Sequence, residues 1–267
     1  MKVAIGAVDA IAARTLQHAS RCDAIWLSSF ELACSLGVPD NDQLGFDELF
    51  SRVMAVTRAA NKPLLLDLSN ANHITARRLQ QLLAAIPQPV TLVVDDTKYP
   101  RTNSFSSHPI SVIPPSDMCR RLERIISCMK YHSSPSLCIR TEHYIINHDA
   151  VATVAYLGYL LANVSRQPDL VFIHGYNVIS AQLDIFRESF PNLRLLTMST
   201  VSPKAFVSDF ESSGVDVLVI PNILTLQRYF EGPVLVNAIL TRKRSVDGLY
   251  RPFNEVIDEI QFPDRAN

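Results

Sequence analysis

Short apolar runs alternate with longer amphipathic stretches along the chain, and the two patterns predict different elements. The short runs are rich in Val, Ile and Leu, as buried strands are, whereas the longer stretches repeat apolar residues at helical spacing. The predicted strands are Val3–Ala7, Ala24–Leu27, Pro63–Asp67, Val90–Asp95, Ser136–Thr141, Leu170–His174, Leu193–Leu196 and Val215–Ile220. The predicted helices are Ala10–His18, Phe46–Ala60, Ile74–Ala85, Asp117–Tyr131, Asp149–Val164, Ser180–Phe190, Ser202–Ser213 and Ile223–Leu240.

This regular alternation predicts the fold class. Strands that alternate with helices form a parallel sheet, and eight such units close into an α/β barrel, the (β/α)8 TIM barrel. An open, doubly wound sheet is the competing architecture, but no G-x-G-x-x-G motif follows the first strand. The 267 residues are the usual length of one such barrel, so we expect a single domain over residues 1–267. A further amphipathic helix is predicted beyond the eighth unit, at about 250–260.

Two connections are longer than the rest. Ser28–Leu44 and Asp96–Ser116 follow the second and fourth predicted strands, and both are rich in turn-forming residues. In a barrel they lie at the carboxyl ends of strands, where loops build active sites. Surface variation is the simpler explanation for such loops, but the length of Asp96–Ser116 favours a lid.

Composition narrows the class of protein. The chain has 25 Lys and Arg against 26 Asp and Glu, a net charge of −1, so no broad cationic surface is available for nucleic acid or an anionic membrane. Hydrophobic residues make up 48%, enough for a large core, but no apolar run approaches the ~18 residues of a membrane span. The amino terminus lacks the pattern of a secretory signal. The five cysteines are odd in number and show no C-x-x-C pair, so we expect them to be reduced thiols of a cytoplasmic protein. They are Cys22, Cys34, Cys119, Cys128 and Cys138.

Polar residues stand at the carboxyl ends of four predicted strands. Asp67 ends the third, Asp95–Asp96 the fourth, Arg140–Glu142 the fifth and His174 the sixth. Turn chemistry, a solvated loop or an internal ion pair would explain any one of them, but their shared placement favours a site. Carboxylates suit Mg²⁺, while Arg and His are donors to carboxylate or phosphoryl oxygens. The sequence therefore predicts a site for a small anion and a divalent cation.

Several motifs resemble those of one enzyme family. Gly6–Arg14 is similar to G-x-x-D-A-x-S-A-R, Trp26–Phe30 in outline to W-G-S-G-L, and Ser35–Asp40 to S-L-G-V-x-D. Asp95–Ser104 resembles the lid motif E-D-K-x-F-P-K-T-N-S, and Ile139–Glu142 resembles A-R-x-E. The chain resembles the isocitrate lyase/phosphoenolpyruvate mutase superfamily over nearly its whole length, most of all the phosphoenolpyruvate mutases and phosphonopyruvate hydrolases.

The resemblance implies Mg²⁺-dependent conversion of phosphoenolpyruvate to phosphonopyruvate, which moves a phosphoryl group from oxygen to carbon. It implies Asp67 as the Mg²⁺ ligand with Asp95 supporting it, and Asp40 in line with the phosphoryl group as acceptor or guide. The groups implied to contact the substrate are the backbone of Ser28, Ser29 and Phe30, the lid residues Arg101 and Asn103, and the side chains of Arg140 and His174.

The site also departs from the family pattern. Ser69 replaces the second aspartate of the D-x-D metal strand, which should weaken Mg²⁺ binding. Arg101 stands for the lid lysine, which preserves charge but not shape. Three interpretations stay open: a divergent mutase, a hydrolase or C–C lyase acting on a related 2-oxo acid or phosphonate, and a non-catalytic homologue.

The resemblance also implies partners. The expected ligand is a small anionic substrate, with neither nucleic acid nor membrane as a partner. Since the superfamily exchanges its final helix between barrels, we expect a homodimer or homotetramer with the helix at about 250–260 swapped. An ordinary helix folded on its own barrel is the alternative.

Overall fold

The fold is described from a computed structural model, for residues 1–42, 44–104, 106, 108–131, 135–174, 181–198 and 207–241. The chain divides into two compact units, Met1–Ile223 and Leu224–Asn267. The first holds all the strands of the sheet. The helix predicted at about 250–260 lies outside the described residues.

Eight parallel strands form a closed barrel in which each strand pairs with its neighbours in the sequence and the last pairs with the first. This confirms the (β/α)8 prediction and excludes the open sheet. The strands are β1 (Lys2–Gly6), β2 (Ala24–Leu27), β3 (Leu64–Asp67), β4 (Val90–Asp95), β5 (Ser136–Thr141), β6 (Leu170–Ile173), β7 (Arg194–Met198) and β8 (Val217–Ile220).

Helices follow the strands, and among the described residues none is long and apolar enough to cross a membrane. Helix α10 reaches past the end of the first unit into the second. The helices are α1 (Ala10–Gln17), α2 (Ser29–Leu36), α3 (Phe46–Ala59), α4 (Ala76–Ala85), α5 (Pro115–Met129), α6 (His143–Asn147), α7 (Ala150–Asn163), α8 (Ala181–Ser189), α9 (Val207–Glu211) and α10 (Ile223–Leu240).

Helix α2 corrects the prediction that the connection Ser28–Leu44 is a loop throughout. Ser28 caps the helix, because its hydroxyl accepts a hydrogen bond from the backbone N–H of Glu31 at 3.3 Å. Gly37 ends it in the left-handed conformation, with φ 68°, which glycine adopts without steric cost. Two capping residues around a short apolar face were therefore enough to form a helix. The short helix α6 was also not predicted.

Every second residue of a strand faces the barrel interior. The interior cluster contains Trp26 of β2 and Phe172 of β6, whose rings meet edge to face with centroids 6.1 Å apart. Because side chains alternate along a strand, the residues two positions further on continue the same inward columns. Two positions after each of five interior residues stands a polar one. The pairs are Trp26 and Ser28, Leu65 and Asp67, Val93 and Asp95, Cys138 and Arg140, and Phe172 and His174. The packed interior thus ends in a layer of polar groups at the carboxyl end of the barrel.

Candidate active site

The polar side chains predicted at the strand ends meet at the barrel mouth. Asp95 lies directly opposite Arg140 in the β4–β5 register, and both are buried. The Arg140 Nη1 atom lies 3.4 Å from the Asp67 Oδ2 atom, which connects β5 to β3 across β4. Asp67, Asp95 and Arg140 therefore occupy one closely packed site, as their strand positions predict.

His174 completes this layer through Glu142. The Arg140 guanidinium lies 2.6 Å from the Glu142 carboxylate, and His174 Nδ1 lies 2.8 Å from the same carboxylate. Burial alone would raise the pKa of Glu142, but Arg140 and His174 outweigh it and hold that pKa far below its usual range. Burial lowers the pKa of His174 although Glu142 opposes it, and the Nδ1 atom lies within hydrogen-bond distance of both Glu142, at 2.8 Å, and Arg140 Nη2, at 3.2 Å. Glu142 therefore orients both Arg140 and His174.

Arg140 is further fixed by two contacts on other elements. Its Nη2 atom donates a hydrogen bond to the Ser104 hydroxyl at 3.1 Å, which attaches it to the connection after β4. Its guanidinium also lies over the Phe172 ring, 5.4 Å from the ring centroid. The arginine is thus held in one place before any anion binds.

The connection after β4 folds over the mouth as the lid prediction requires. Its two ends pair like a short hairpin: Lys98 N–H donates to the Ser111 carbonyl at 2.8 Å, and Ile113 N–H donates to the Asp96 carbonyl at 2.9 Å. Arg121 of α5 reinforces this stem by donating to the Asp95 carbonyl at 2.7 Å.

The lid places a buried arginine among the carboxylates. The side chain of Arg101 is 2% exposed; its Nε atom lies 3.3 Å from Asp95 Oδ2, and its Nη1 atom lies 3.1 Å from the Asp40 carboxylate. The same Nη1 atom donates to the hydroxyls of Ser29, at 2.9 Å, and Ser69, at 3.2 Å. Burial opposes the charge of Arg101, but Asp95 and Asp40 together raise its pKa above the usual arginine value. Arg101 is therefore a permanent cation at the centre of the mouth.

Asp40 joins the loop after α2 to the lid. Besides Arg101, its carboxylate accepts a hydrogen bond from the Asn103 side-chain amide at 2.6 Å. Asp40 and Asn103 come from the connections after β2 and β4, so this bond joins the two connections. Every residue with a predicted side-chain role thus lies at one end of the barrel.

Ser28, Ser29 and Phe30 lie at the start of α2, where the first backbone N–H groups of a helix have no acceptor within the helix. The Ser29 hydroxyl also donates to Asp67 Oδ2 at 3.1 Å. Ser29 and Phe30 remain partly exposed. The start of α2 therefore lies beside Asp67 and Arg101.

The two carboxylates predicted to hold Mg²⁺ are engaged by protein groups. Asp67 Oδ1 accepts from the Ser69 N–H at 3.0 Å, and its Oδ2 faces Ser29 and Arg140. Asp95 Oδ1 accepts from the Thr97 hydroxyl at 2.6 Å, whereas its Oδ2 is paired in charge with Arg101 Nε at 3.3 Å without a hydrogen bond. In the described part of the chain, no group of three or more His, Cys, Asp or Glu side chains is arranged to hold a metal ion.

A small cavity adjoins these groups. Its volume is about 20 Å³, room for about one water molecule, and Ser29, Asp40, Asp67 and Ser69 contribute to its wall. A substrate the size of phosphoenolpyruvate is larger than this space.

Asp96 does not join the site, although the sequence places it beside Asp95. It lies on the outward column of β4, where it accepts from the Thr141 hydroxyl at 2.9 Å and from the Glu142 N–H at 3.0 Å. Burial, together with the nearby charges of Glu142 and Asp95, raises the pKa of Asp96 to about 7. Asp96 therefore fixes the backbone of Glu142 from the outer side of the barrel.

The sequence pattern gave no individual role to Glu142, Ser104 or Ser69. Glu142 and Ser104 sit inside the R-x-E and T-N-S motifs, so their spacing to Arg140 and Asn103 was a usable signal. Ser69 was noted only as a missing aspartate, whereas its hydroxyl accepts from Arg101. That contact depends on the lid and had no signal in the sequence.

Comparison with known proteins gives the following similarities. A family model described as phosphoenolpyruvate phosphomutase matches residues 1–231. No curated protein sequence matches the chain. Among solved structures, phosphoenolpyruvate phosphomutase from Streptomyces platensis subsp. rosaceus superposes with a TM-score of 0.82 at 21% identity, over 99% of this chain and 94% of that one.

Two other solved structures are similar. Phosphonopyruvate hydrolase in complex with oxalate and Mg²⁺ superposes with a TM-score of 0.79 at 20% identity, over 99% of this chain and 91% of that chain. A 2,3-dimethylmalate lyase superposes with a TM-score of 0.78 at 15% identity, over 99% and 87%. These identities show a shared fold and leave the reaction open.

Proposed function

Because the chain belongs to the phosphoenolpyruvate phosphomutase family, we propose that it interconverts phosphoenolpyruvate and phosphonopyruvate. The observation that carries this proposal is the pairing of Asp40 with the lid residues Arg101 and Asn103, in a lid whose Ser104 also contacts the buried Arg140. An acidic group, two arginines and an amide then surround one small space that a lid closes. Membership also confirms the resemblance found in the sequence.

Arg140 and His174 are proposed to bind the phosphoryl oxygens. Arg140 is held by Glu142 and Ser104 and offers charge-assisted donors in a fixed geometry. An anion adjacent to His174 would favour its protonated form, with Glu142 stabilising the imidazolium. Asn103 of the lid would add a neutral donor. These groups neutralise and position the substrate, which a loose phosphoryl transition state chiefly needs.

Asp40 is proposed to lie in line with the P–O bond that breaks and the P–C bond that forms. It acts as transient acceptor of the phosphoryl group, or guides a metaphosphate-like species from the enol oxygen to carbon 3. Arg101 and Asn103 fix its carboxylate in place. The backbone at Ser28, Ser29 and Phe30 would bind the substrate carboxylate.

Exclusion of water decides between the mutase and its closest alternative. If water reaches the phosphoryl group, phosphonopyruvate is hydrolysed to pyruvate and phosphate. The lid favours the mutase, because its buried residues Arg101 and Ser104 shield the mouth from bulk solvent. A hydrolase or a C–C lyase acting on a related 2-oxo acid is the second candidate, supported by the similar hydrolase and lyase structures.

The Mg²⁺ that the resemblance implies does not fit the site as it stands. Asp67 and Asp95 are the residues assigned to it, and their carboxylate oxygens already contact Ser29, Ser69, Thr97 and the two arginines. No step of the proposed mechanism passes through a metal. Assembly as a homodimer or homotetramer stays a prediction from the family.

Phosphorus NMR of the purified protein with phosphonopyruvate tests the function. Formation of phosphoenolpyruvate supports the mutase, formation of free phosphate supports the hydrolase, and an unchanged spectrum contradicts both. Replacing Asp40 with Asn keeps the size of the side chain and its acceptor for Arg101 but removes the negative charge. We expect this variant to fold normally and lose turnover by a factor of about 100 or more. Activity within a few-fold of wild type would mean that Asp40 only holds the lid.

A further inference from the structure

We propose that the Arg101 guanidinium replaces the divalent cation of this site, so that the protein works without a metal ion. The inference rests on the proposed function of the barrel mouth as an anion site. It starts from the position of Arg101, which lies between Asp95, at 3.3 Å, and Asp40, at 3.1 Å.

Each of the two arginines forms ion pairs with two acidic groups of the mouth. Arg140 forms ion pairs with Asp67 and Glu142, and Arg101 forms ion pairs with Asp40 and Asp95. All of these carboxylates are buried or nearly so, with side chains at most 8% exposed. A divalent ion at Asp67 and Asp95 would lie beside two buried guanidinium groups, where charge repulsion in a medium of low polarity is strong. Metal binding therefore requires Arg101 to leave.

Ser69 is suited to a guanidinium. Its hydroxyl accepts from Arg101 Nη1 at 3.2 Å, and Ser29 accepts from the same atom at 2.9 Å. Neutral hydroxyls accept hydrogen bonds from an arginine without adding negative charge. An aspartate at 69 would have added a hard oxygen ligand for a metal. The residue found there stabilises the single charge of Arg101.

The exchange changes what the cation can do. A guanidinium gives a fixed positive charge and directed N–H donors, which suit the binding of carboxylate and phosphoryl oxygens. It does not coordinate water or lower the pKa of water as a bound metal ion does. The lid and the cation would then arrive together, because Arg101 is part of the lid.

The decisive measurement is Mn²⁺ binding, followed by electron paramagnetic resonance of free Mn²⁺ on the EDTA-treated full chain. It is made with and without oxalate, the ligand bound together with Mg²⁺ in the similar hydrolase structure. For wild type we expect no saturable binding below about 1 mM under either condition. Saturable binding of Mn²⁺ to one site per chain, with a Kd below that concentration and with or without oxalate, would overturn the proposal.

Variants at Arg101 test whether removing the internal cation allows a metal ion to bind. Arg101→Ala removes the internal cation and exposes Asp40, Asp67 and Asp95 to the mouth, so Mn²⁺ should bind about tenfold or more tightly than to wild type. Arg101→Lys keeps a cation and should still exclude Mn²⁺. Arg120→Ala removes one positive charge at the exposed start of α5 and controls for net charge. A folded Arg101→Ala protein that gains no Mn²⁺ affinity contradicts the proposal.

Binding and turnover separate this proposal from the proposed function. If Arg101→Ala does not fold, the wild-type measurement still decides. A wild-type protein without turnover and without a Mn²⁺ site would contradict the mutase or hydrolase assignment and support the role of Arg101. Turnover that EDTA abolishes and Mg²⁺ restores would contradict the role of Arg101 and leave the function in place.

Discussion

Neighbouring residues on β4 serve different parts of the molecule. Asp95 points into the barrel mouth and pairs with Arg101, whereas Asp96 points outward and accepts from the Thr141 hydroxyl and the Glu142 N–H. Alternation along the strand separates them completely. The inward carboxylate has a cationic partner and the outward one has only neutral donors, so the two respond differently to pH.

We predict that Asp96 makes the protein less stable as the pH rises. Its folded pKa, raised to about 7 by burial and then by Glu142 and Asp95, lies above the ordinary unfolded value of about 4. The folded chain thus binds the extra proton between these values, and its contribution to stability is present below pH about 4 and is lost as the pH rises through about 7. Replacing Asp96 with Asn removes this dependence, because the amide can bond both Glu142 N–H and the Thr141 hydroxyl.

Urea unfolding of the Asn variant and wild type at several pH values measures the effect. The variant should gain stability relative to wild type between pH about 4 and 8, by a few kcal/mol at most. Asp184→Asn on α8 is the control, since water solvates this exposed side chain in the folded and unfolded chain. A difference between the Asp96 variant and wild type that does not vary with pH would contradict the prediction.

At the scale of elements, the connection after β2 brings Asp40 to the site. Its helix α2 starts at the Ser28 cap and stops at Gly37, and three residues later the chain reaches Asp40. The left-handed backbone at Gly37 turns the chain back toward the barrel mouth. The position of Asp40 thus depends on where this short helix ends.

We predict opposite effects for two Gly→Ala substitutions. A Cβ atom at Gly37 would meet nothing within 4 Å, so alanine there costs only the strain of the left-handed backbone, about 1–2 kcal/mol. A Cβ atom at Gly158, inside α7, likewise meets nothing within 4 Å. There alanine stabilises the helix by roughly 0.5–1 kcal/mol. Thermal unfolding should show a lower midpoint for the first variant and a higher one for the second; equal shifts would contradict the role of the Gly37 turn.

At the scale of the whole molecule, closure of the barrel determines which thiols solvent can reach. Cys138 lies inside the barrel, Cys22, Cys119 and Cys128 are also buried, and Cys34 on α2 is exposed. The closed parallel sheet leaves no free strand edge through which the interior could open. Thiol reactivity therefore reports on the intact barrel.

We predict that one thiol per native chain reacts rapidly with a thiol-specific reagent and that all five react after denaturation. The fast thiol is Cys34, and Cys34→Ser should abolish the fast phase. Partial burial, followed by the charges of Asp40 and Glu31, raises the pKa of this thiol, so its rate should keep rising above the pH range of a free cysteine. Two or more fast thiols in the native protein would contradict the closed barrel.

The sequence by itself determined the strands, most of the helices and the end of the barrel where the polar groups gather. Apolar runs and helical periodicity are local properties, and all eight strands formed where the pattern predicted them. The parallel arrangement then forces Asp67, Asp95, Arg140 and His174 to the same rim, because carboxyl ends of parallel strands lie together. No knowledge of loops was needed for this.

Only the tertiary structure decided what these groups contact. Arg101 and Asp40 are separated by 61 residues and belong to different connections, so their pairing depends on how the lid folds over α2. The sequence left Asp67 and Asp95 as open metal ligands, whereas the folded chain brings two arginines to them. The reason is physical: strand ends are fixed by backbone hydrogen bonds, whereas side chains on long connections settle where buried charges find their partners.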